Sequence, residues 1–225
     1  MKSMLFGLMI LCAAVYAESA NAFTMSNGDW IEQSIDPLGG PQSAAAYFRN
    51  NRPMRFAANP GFGPESDAAF FWIFLDVNTG DLSLNMVFDR FRDGSGGAME
   101  LSFSGIPDSA VVAVANERNE VNLSGGDFNW KGFYNDGAVI NNINGFDEIT
   151  IDLTYWRNID EFYFLSGDRF GPSRFALDPA RPITIAGHLD GGGGGGGGTT
   201  DIPEPATALL LGSSLMFAAW SKRNA

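Results

Sequence analysis

The chain has 225 residues, of which 14 are Lys or Arg and 26 are Asp or Glu, so its formal charge is −12. This balance argues against a nucleic-acid-binding protein, because neutralising phosphates takes clusters of Lys and Arg. The chain has one Cys, Cys12, and one His, His188, which argues against disulfides, Cys-ligated zinc and most hydrolytic triads. We therefore expect a folded acidic protein that is not an enzyme and has no catalytic residues.

The first 22 residues have the three parts of a secretory signal peptide. Lys2 supplies the positive start, and residues 4–15 form an apolar stretch that is too short to span a bilayer comfortably. Ala20 and Ala22 flank Asn21 in a small-x-small cleavage site. We expect a cut after Ala22, with a cut after Ala17 as the alternative.

Residues 23–190 contain short apolar stretches separated by Gly, Asn and Asp turns, which is typical of an all-β body. The clearest pattern is the run 69–77 (AFFWIFLDV), followed by a turn and an alternating segment over 82–88, which together predict a hairpin. Trp72 lies within the apolar run, so we place it in the core. A weak helical period appears only near residues 43–48, inside a Pro-rich segment (36–64) that we expect to be irregular.

Roughly ten short strands predict two packed antiparallel sheets. Our first choice is a jelly-roll-like β-sandwich, the second an immunoglobulin-like sandwich and the third a barrel. Besides the hairpin, the predicted strands are 99–103, 111–115, 121–123, 128–134, 138–143, 149–153, 162–165 and 183–185.

Two acidic segments are candidates for binding Ca²⁺, which accepts flexible oxygen ligands. The loop 89–97 places Asp89 and Asp93 among three glycines, and we take these two as the calcium candidates; a solvated loop with local Arg–Asp pairing is the alternative. The segment 76–81 lacks the EF-hand spacing and is better explained as a hairpin turn.

Sugar binding would use exposed aromatic rings, because their faces match the apolar faces of sugars. Trp130 and Tyr134 lie in the most suitable stretch, and we predict them as glycan contacts, with a place in the core as the alternative. A glycoside hydrolase needs two carboxylates roughly 5–10 Å apart. Glu65 and Asp67 form the one Glu-x-Asp pair in the chain, in a segment that looks like a loop.

The last 35 residues have the organisation of a tether and an anchor. Residues 191–201 form a Gly-rich linker that we expect to be flexible. The motif Pro203-Glu204-Pro205 follows, and then an apolar stretch over 206–220 that predicts a short hydrophobic helix. The basic pair at 222–223 should stay cytoplasmic, which would leave the body outside the membrane.

Residues 202–225 resemble the PEP-CTERM sorting signal of Gram-negative bacteria, which combines a Pro-Glu-Pro motif, a short hydrophobic helix and a basic end. The chain departs from it in having two basic residues where an Arg-rich cluster is common. The resemblance implies transient anchoring in the inner membrane, processing by an exosortase (a membrane cysteine transpeptidase) and delivery to the cell surface or the extracellular matrix.

We therefore expect an exported surface or matrix protein with a structural or exopolysaccharide-associated role and no required cofactor. The alternative is a secreted carbohydrate-binding or calcium-dependent binding module. A polysaccharide hydrolase is a further alternative.

Overall fold

The computed structural model describes residues 22–28, 32–49, 58, 60–115, 117 and 119–188. The predicted signal peptide lies outside these residues except for Ala22, and the linker, the Pro-Glu-Pro motif and the C-terminal helix lie outside them altogether. Across the described ranges the chain is all-β with one short helix, as predicted. We find in these ranges no helix with the length and apolar character that crossing a membrane requires.

Fourteen strands and one helix make up the described part of the chain. They are β1 (Ala22–Asn27), β2 (Gln33–Ile35), β3 (Leu38–Gly40), α1 (Ala44–Arg49), β4 (Ala68–Asp76), β5 (Asp81–Phe88), β6 (Gly97–Ser104), β7 (Val111–Val114), β8 (Val121–Asn122), β9 (Gly125–Trp130), β10 (Asp136–Asn141), β11 (Glu148–Arg157), β12 (Glu161–Ser166), β13 (Ser173–Ala176) and β14 (Ile183–His188).

The strands form two sheets. We call the first sheet A, with strand order β2-β1-β14-β11-β6-β9-β8. We call the second sheet B, with order β13-β12-β4-β5-β10-β7 and β3 as an additional partner of β4. The predicted hairpin is confirmed, because β4 and β5 pair antiparallel from Ala69 opposite Phe88 to Asp76 opposite Asp81.

The main core lies between the two sheets and receives side chains from both. In sheet B, Leu84, Met86 and Phe88 alternate along β5 and point to this core, as their period of two predicts. In sheet A, Ile149 and Ile151 do the same from β11. Burying these apolar faces against each other supplies most of the stabilising free energy.

A second, smaller core covers the outer face of sheet B. Trp72 is fully buried there, as predicted, and its ring stacks on that of Phe48 from α1 with 6.4 Å between ring centroids. Tyr47, also from α1, stacks on Phe74 at 4.9 Å. The segment 36–64 is therefore not wholly irregular, since it contains β3 and α1 and closes this core.

The prediction of purely antiparallel sheets is wrong at one place, where two strands pair parallel to β4. Strand β12 pairs with the first half of β4, from Ala68 to Trp72, and β3 pairs with the second half, from Phe74 to Asp76. Because β5 occupies the opposite edge of β4, β12 and β3 follow one another along the same edge. The strands β2, β3 and β13 carry too few residues to give a period and were not predicted. Strand β1 was also missed, although Phe23 and Met25 alternate with Thr24 and Ser26 and are buried.

Candidate functional site

Three aspartate side chains meet at one end of the body. Asp67 immediately precedes β4, Asp89 immediately follows β5, and Asp93 lies in the loop before β6. One carboxylate oxygen from each lies within 4.8 Å of the other two. Asp67 and Asp89 have positive φ values of 57° and 71°, a conformation that Asp tolerates better than most residues. The structure therefore joins the two predicted calcium candidates to one residue of the predicted carboxylate pair.

The carboxylate of Asp89 is the buried centre of this group, with no exposed surface. Its Oδ1 accepts hydrogen bonds from the backbone N–H groups of Asp67 (3.0 Å) and Arg90 (2.7 Å). Its Oδ2 accepts one from the indole N–H of Trp130 at 2.8 Å. Asp89 therefore links the start of β4 in sheet B to β9 in sheet A.

The hydroxyl of Ser95 lies among all three carboxylates. Its Oγ is 2.7 Å from Asp93 Oδ2, 3.2 Å from Asp89 Oδ2 and 3.3 Å from Asp67 Oδ1. A hydroxyl has one proton to donate, and the shortest distance assigns it to Asp93. Asp67 Oδ1 and Asp89 Oδ2 also lie near the Ser95 hydroxyl but do not receive its proton.

The local charge is unfavourable without a counter-charge. Burial raises the pKa of Asp89 above its usual range, and its hydrogen-bonded contact with Asp93 raises it further. A divalent cation would relieve the same repulsion. Ca²⁺ binds oxygens at about 2.3–2.6 Å, so oxygens no more than 4.8 Å apart are close enough to contact one ion.

The prediction of a glycan contact at Trp130 is wrong, because this residue is only 4% exposed. The indole stacks on Phe88, donates its N–H to Asp89 and lies over Gly97 on the neighbouring strand, where a Cβ would clash with the ring. Strand β9 ends at Trp130, whereas the sequence analysis extended it to 134. The ring is therefore part of the inner core and is closed to a sugar.

Tyr134, the other predicted glycan contact, is 45% exposed and follows a turn in which its N–H bonds Lys131 O at 2.8 Å. Phe133 beside it is also exposed. The turn lies against the loop that holds Asp93, since a Cβ on Gly132 would lie 2.5 Å from the backbone oxygen of Gly94. An aromatic surface and the aspartate cluster therefore belong to the same end of the protein.

The remaining predicted carboxylates have structural roles. Glu65 forms an ion pair with Arg174 at 2.7 Å on the surface, and the group of three carboxylates at Asp67 does not include it. Asp76 accepts a hydrogen bond from the N–H of Asn78 within the β4–β5 turn, which supports the interpretation of that segment as a hairpin turn.

Asp136 at the start of β10 is a buried carboxyl group that the sequence analysis did not single out. Burial, reinforced by the negative charges of Glu120 and Glu117, raises its pKa from 3.8 to about 8. Its Oδ1 accepts the N–H of Gly137 at 2.8 Å, while Oδ2 has no hydrogen-bond partner. No sequence pattern marks it, because its burial depends on where β10 sits in the sheet.

Comparison of the chain with protein-family models, with curated proteins and with solved structures gives no match in any of the three.

Asp136 should make the protein less stable as the pH rises from about 4 to about 8. In that window the folded chain keeps a proton that the unfolded chain has released, so raising the pH favours unfolding. Urea denaturation of Asp136→Asn should show a smaller loss of stability between pH 5 and pH 8.5 than the parent. Asp152→Asn, which removes an exposed carboxylate from β11, is the matched control and should behave like the parent. Equal pH dependence in Asp136→Asn and the parent would contradict the assignment.

Proposed function

We propose that the protein is exported, sorted through its C-terminal Pro-Glu-Pro signal, and acts as a structural or polysaccharide-associated component of the cell surface or extracellular matrix. The pairing of the first and last strands of the β body supports this proposal best. Strand β1, at the predicted cut, pairs with β14, just before the predicted linker, with Phe23 opposite Gly187. Phe23, the first residue after the predicted cut, is buried and stacks on Phe146, so cleavage after Ala22 keeps this core residue in the mature chain.

For the body we propose a jelly-roll-like sandwich, with an immunoglobulin-like one as the alternative. The shared core between sheets A and B supports a sandwich, and the two separate strand orders favour it over a barrel.

Intact-mass spectrometry of the protein recovered from the medium and the envelope of its native host tests the sorting proposal. We expect an N-terminus at Phe23 and a C-terminus near Pro203, with added mass if an exosortase transfers the body to another molecule. The double variant Pro203→Ala/Pro205→Ala should keep its C-terminus and stay in the membrane fraction. A parent chain that remains in the cytosol, or that still ends at Ala225 in the inner membrane, would contradict the proposal.

A second candidate function is calcium-dependent binding at the cluster of Asp67, Asp89 and Asp93. The specific observation is the convergence of three carboxylates on the Ser95 hydroxyl, with more negative charge than one proton neutralises. The exposed ring of Tyr134 on the neighbouring turn would then be held in place by the bound ion.

Calcium binding should raise the melting temperature. A ligand present at 100 times its Kd stabilises a protein by about 2.7 kcal/mol, which corresponds to roughly 5–10 °C for a chain of this size. We expect this shift in 5 mM CaCl₂ relative to EDTA for the parent and for the control Asp152→Asn, and its loss in Asp93→Asn. Asn keeps an oxygen for the 2.9 Å bond from the Ser95 N–H, so the loop should survive the change. No shift in the parent, or an equal shift in Asp93→Asn, would exclude the site.

A further inference from the structure

A groove of about 450 Å³ opens on sheet B, away from the three aspartates. It lies where β12 ends and β3 takes its place beside β4. After Ser166 the chain turns away at Gly167, which has a positive φ of 91°, and the departing segment 167–170 forms one wall. The other wall is the end of β3 with Pro41, together with Val77 from the β4–β5 turn. The parallel pairing of both strands with β4 therefore creates the groove.

The groove walls are mostly apolar and unusually exposed. Phe170 is 67% exposed and Val77 is 56% exposed, and both belong to the small set of large apolar side chains that the described residues leave open to solvent. Gly39 and Gly40, at the end of β3 in the second wall, contribute no side chain. The surface thus offers an aromatic ring and an isopropyl group beside backbone that carries no side chain of its own.

One cation is fixed in this apolar setting. The guanidinium of Arg169 lies over the Phe170 ring, 4.6 Å from its centroid, and packs against Gly40, where a Cβ would clash with it. The backbone oxygen of Arg169 accepts a 2.6 Å hydrogen bond from the hydroxyl of Tyr47, which anchors the wall to α1. Among the described residues no carboxylate forms an ion pair with Arg169.

We propose that this groove binds a uronic-acid unit of an acidic polysaccharide. The carboxylate would pair with the guanidinium of Arg169, which is shaped for two parallel hydrogen bonds to a carboxylate. The apolar face of the sugar ring would pack against the exposed part of Phe170 that the guanidinium leaves open and against Val77. The exposed carboxylate of Asp168, whose Oδ1 already accepts the N–H of Phe170 at 2.8 Å, has its other oxygen left to accept sugar hydroxyls. This inference rests on the polysaccharide association in the proposed function and names the class of polysaccharide.

Two backbone acceptors beside the groove are already used within the protein. The oxygen of Gly40 already accepts the N–H of Val77 at 2.9 Å, and that of Pro41 accepts the side-chain amide of Asn78 at 2.7 Å. Recognition would therefore depend on the side chains of Arg169, Asp168 and Phe170.

Isothermal titration calorimetry of the full chain with a short oligogalacturonate tests the proposal, with its fully methyl-esterified form as the neutral probe. We expect the acidic oligosaccharide to bind at least tenfold more tightly than the ester. Arg169→Gln should lose at least tenfold in affinity for the acid and little for the ester, and Phe170→Ala should weaken binding of both. Arg157→Gln, which removes an exposed cation from sheet A, is the matched control and should bind like the parent.

Three results would overturn the inference. They are an Arg169→Gln variant that binds the acid as the parent does, equal affinity of the parent for acid and ester, and no binding of the acid by a folded parent. Tetraglutamate competing as well as the oligogalacturonate would reassign the groove to acidic peptides. Sorting is measured separately by mass, so failure of the groove and failure of the proposed function give different results. If the substitution of Arg169 does not change the affinity for the acid, the protein binds the polysaccharide at a site other than this groove.

Discussion

The hydrogen bond between the Trp130 indole and the buried carboxylate of Asp89 joins the two sheets at the end that carries the aspartate cluster. A buried carboxylate is costly unless donors surround it, and Asp89 has two backbone donors as well as the indole. The interaction fixes Trp130 against Phe88 in the core. It also fixes the backbone of Asp67, which precedes the central strand of sheet B. The packing of both sheets at this end therefore depends on one buried carboxylate and the donors around it.

The two ends of sheet B carry different chemical groups. At the Asp89 end, three carboxylates and an exposed aromatic turn are held close together. At the other end, β12 leaves the edge of β4 and β3 follows it there, which opens a groove. The guanidinium of Arg169 is fixed in this groove, although the protein as a whole is acidic. An acidic body repels long anionic polymers in general, so a single placed guanidinium would select where such a polymer touches the protein. The proposed export and the proposed polysaccharide contact are thus consistent with the same distribution of charge.

Much of the fold could be predicted from the sequence, because β4 is a continuous apolar run and the period of two is strong in β5, β6 and β11. The hairpin, the buried Trp72 and the all-β class followed from these patterns. The same rule would have placed Trp130 correctly, since Phe128 and Trp130 alternate with the polar Asp127 and Asn129 and should point inward together. Polar neighbours of an aromatic residue on a strand therefore do not indicate exposure where the alternation places its side chain on the buried face.

The sites were harder to predict, because they depend on contacts between distant parts of the chain. Asp67 and Asp89 are separated by the whole hairpin and meet only when β4 and β5 pair in register. The groove forms because β3 and β12 both pair parallel with β4, and these two strands are short and far apart in sequence. The burial of Asp136 likewise follows from its place beside β5 and not from its neighbours in the chain.

A double-mutant cycle with Asp89→Asn and Trp130→Phe measures the central interaction most directly. Hydrogen bonds to charged groups contribute about 1.5–3 kcal/mol, so urea denaturation should give a coupling energy of at least about 1 kcal/mol between the two positions. Each single variant should be less stable than the parent, and the double variant should be more stable than the sum of the two losses implies. Effects that add to within about 0.5 kcal/mol would contradict the account, because the carboxylate and the indole would then stabilise the fold independently.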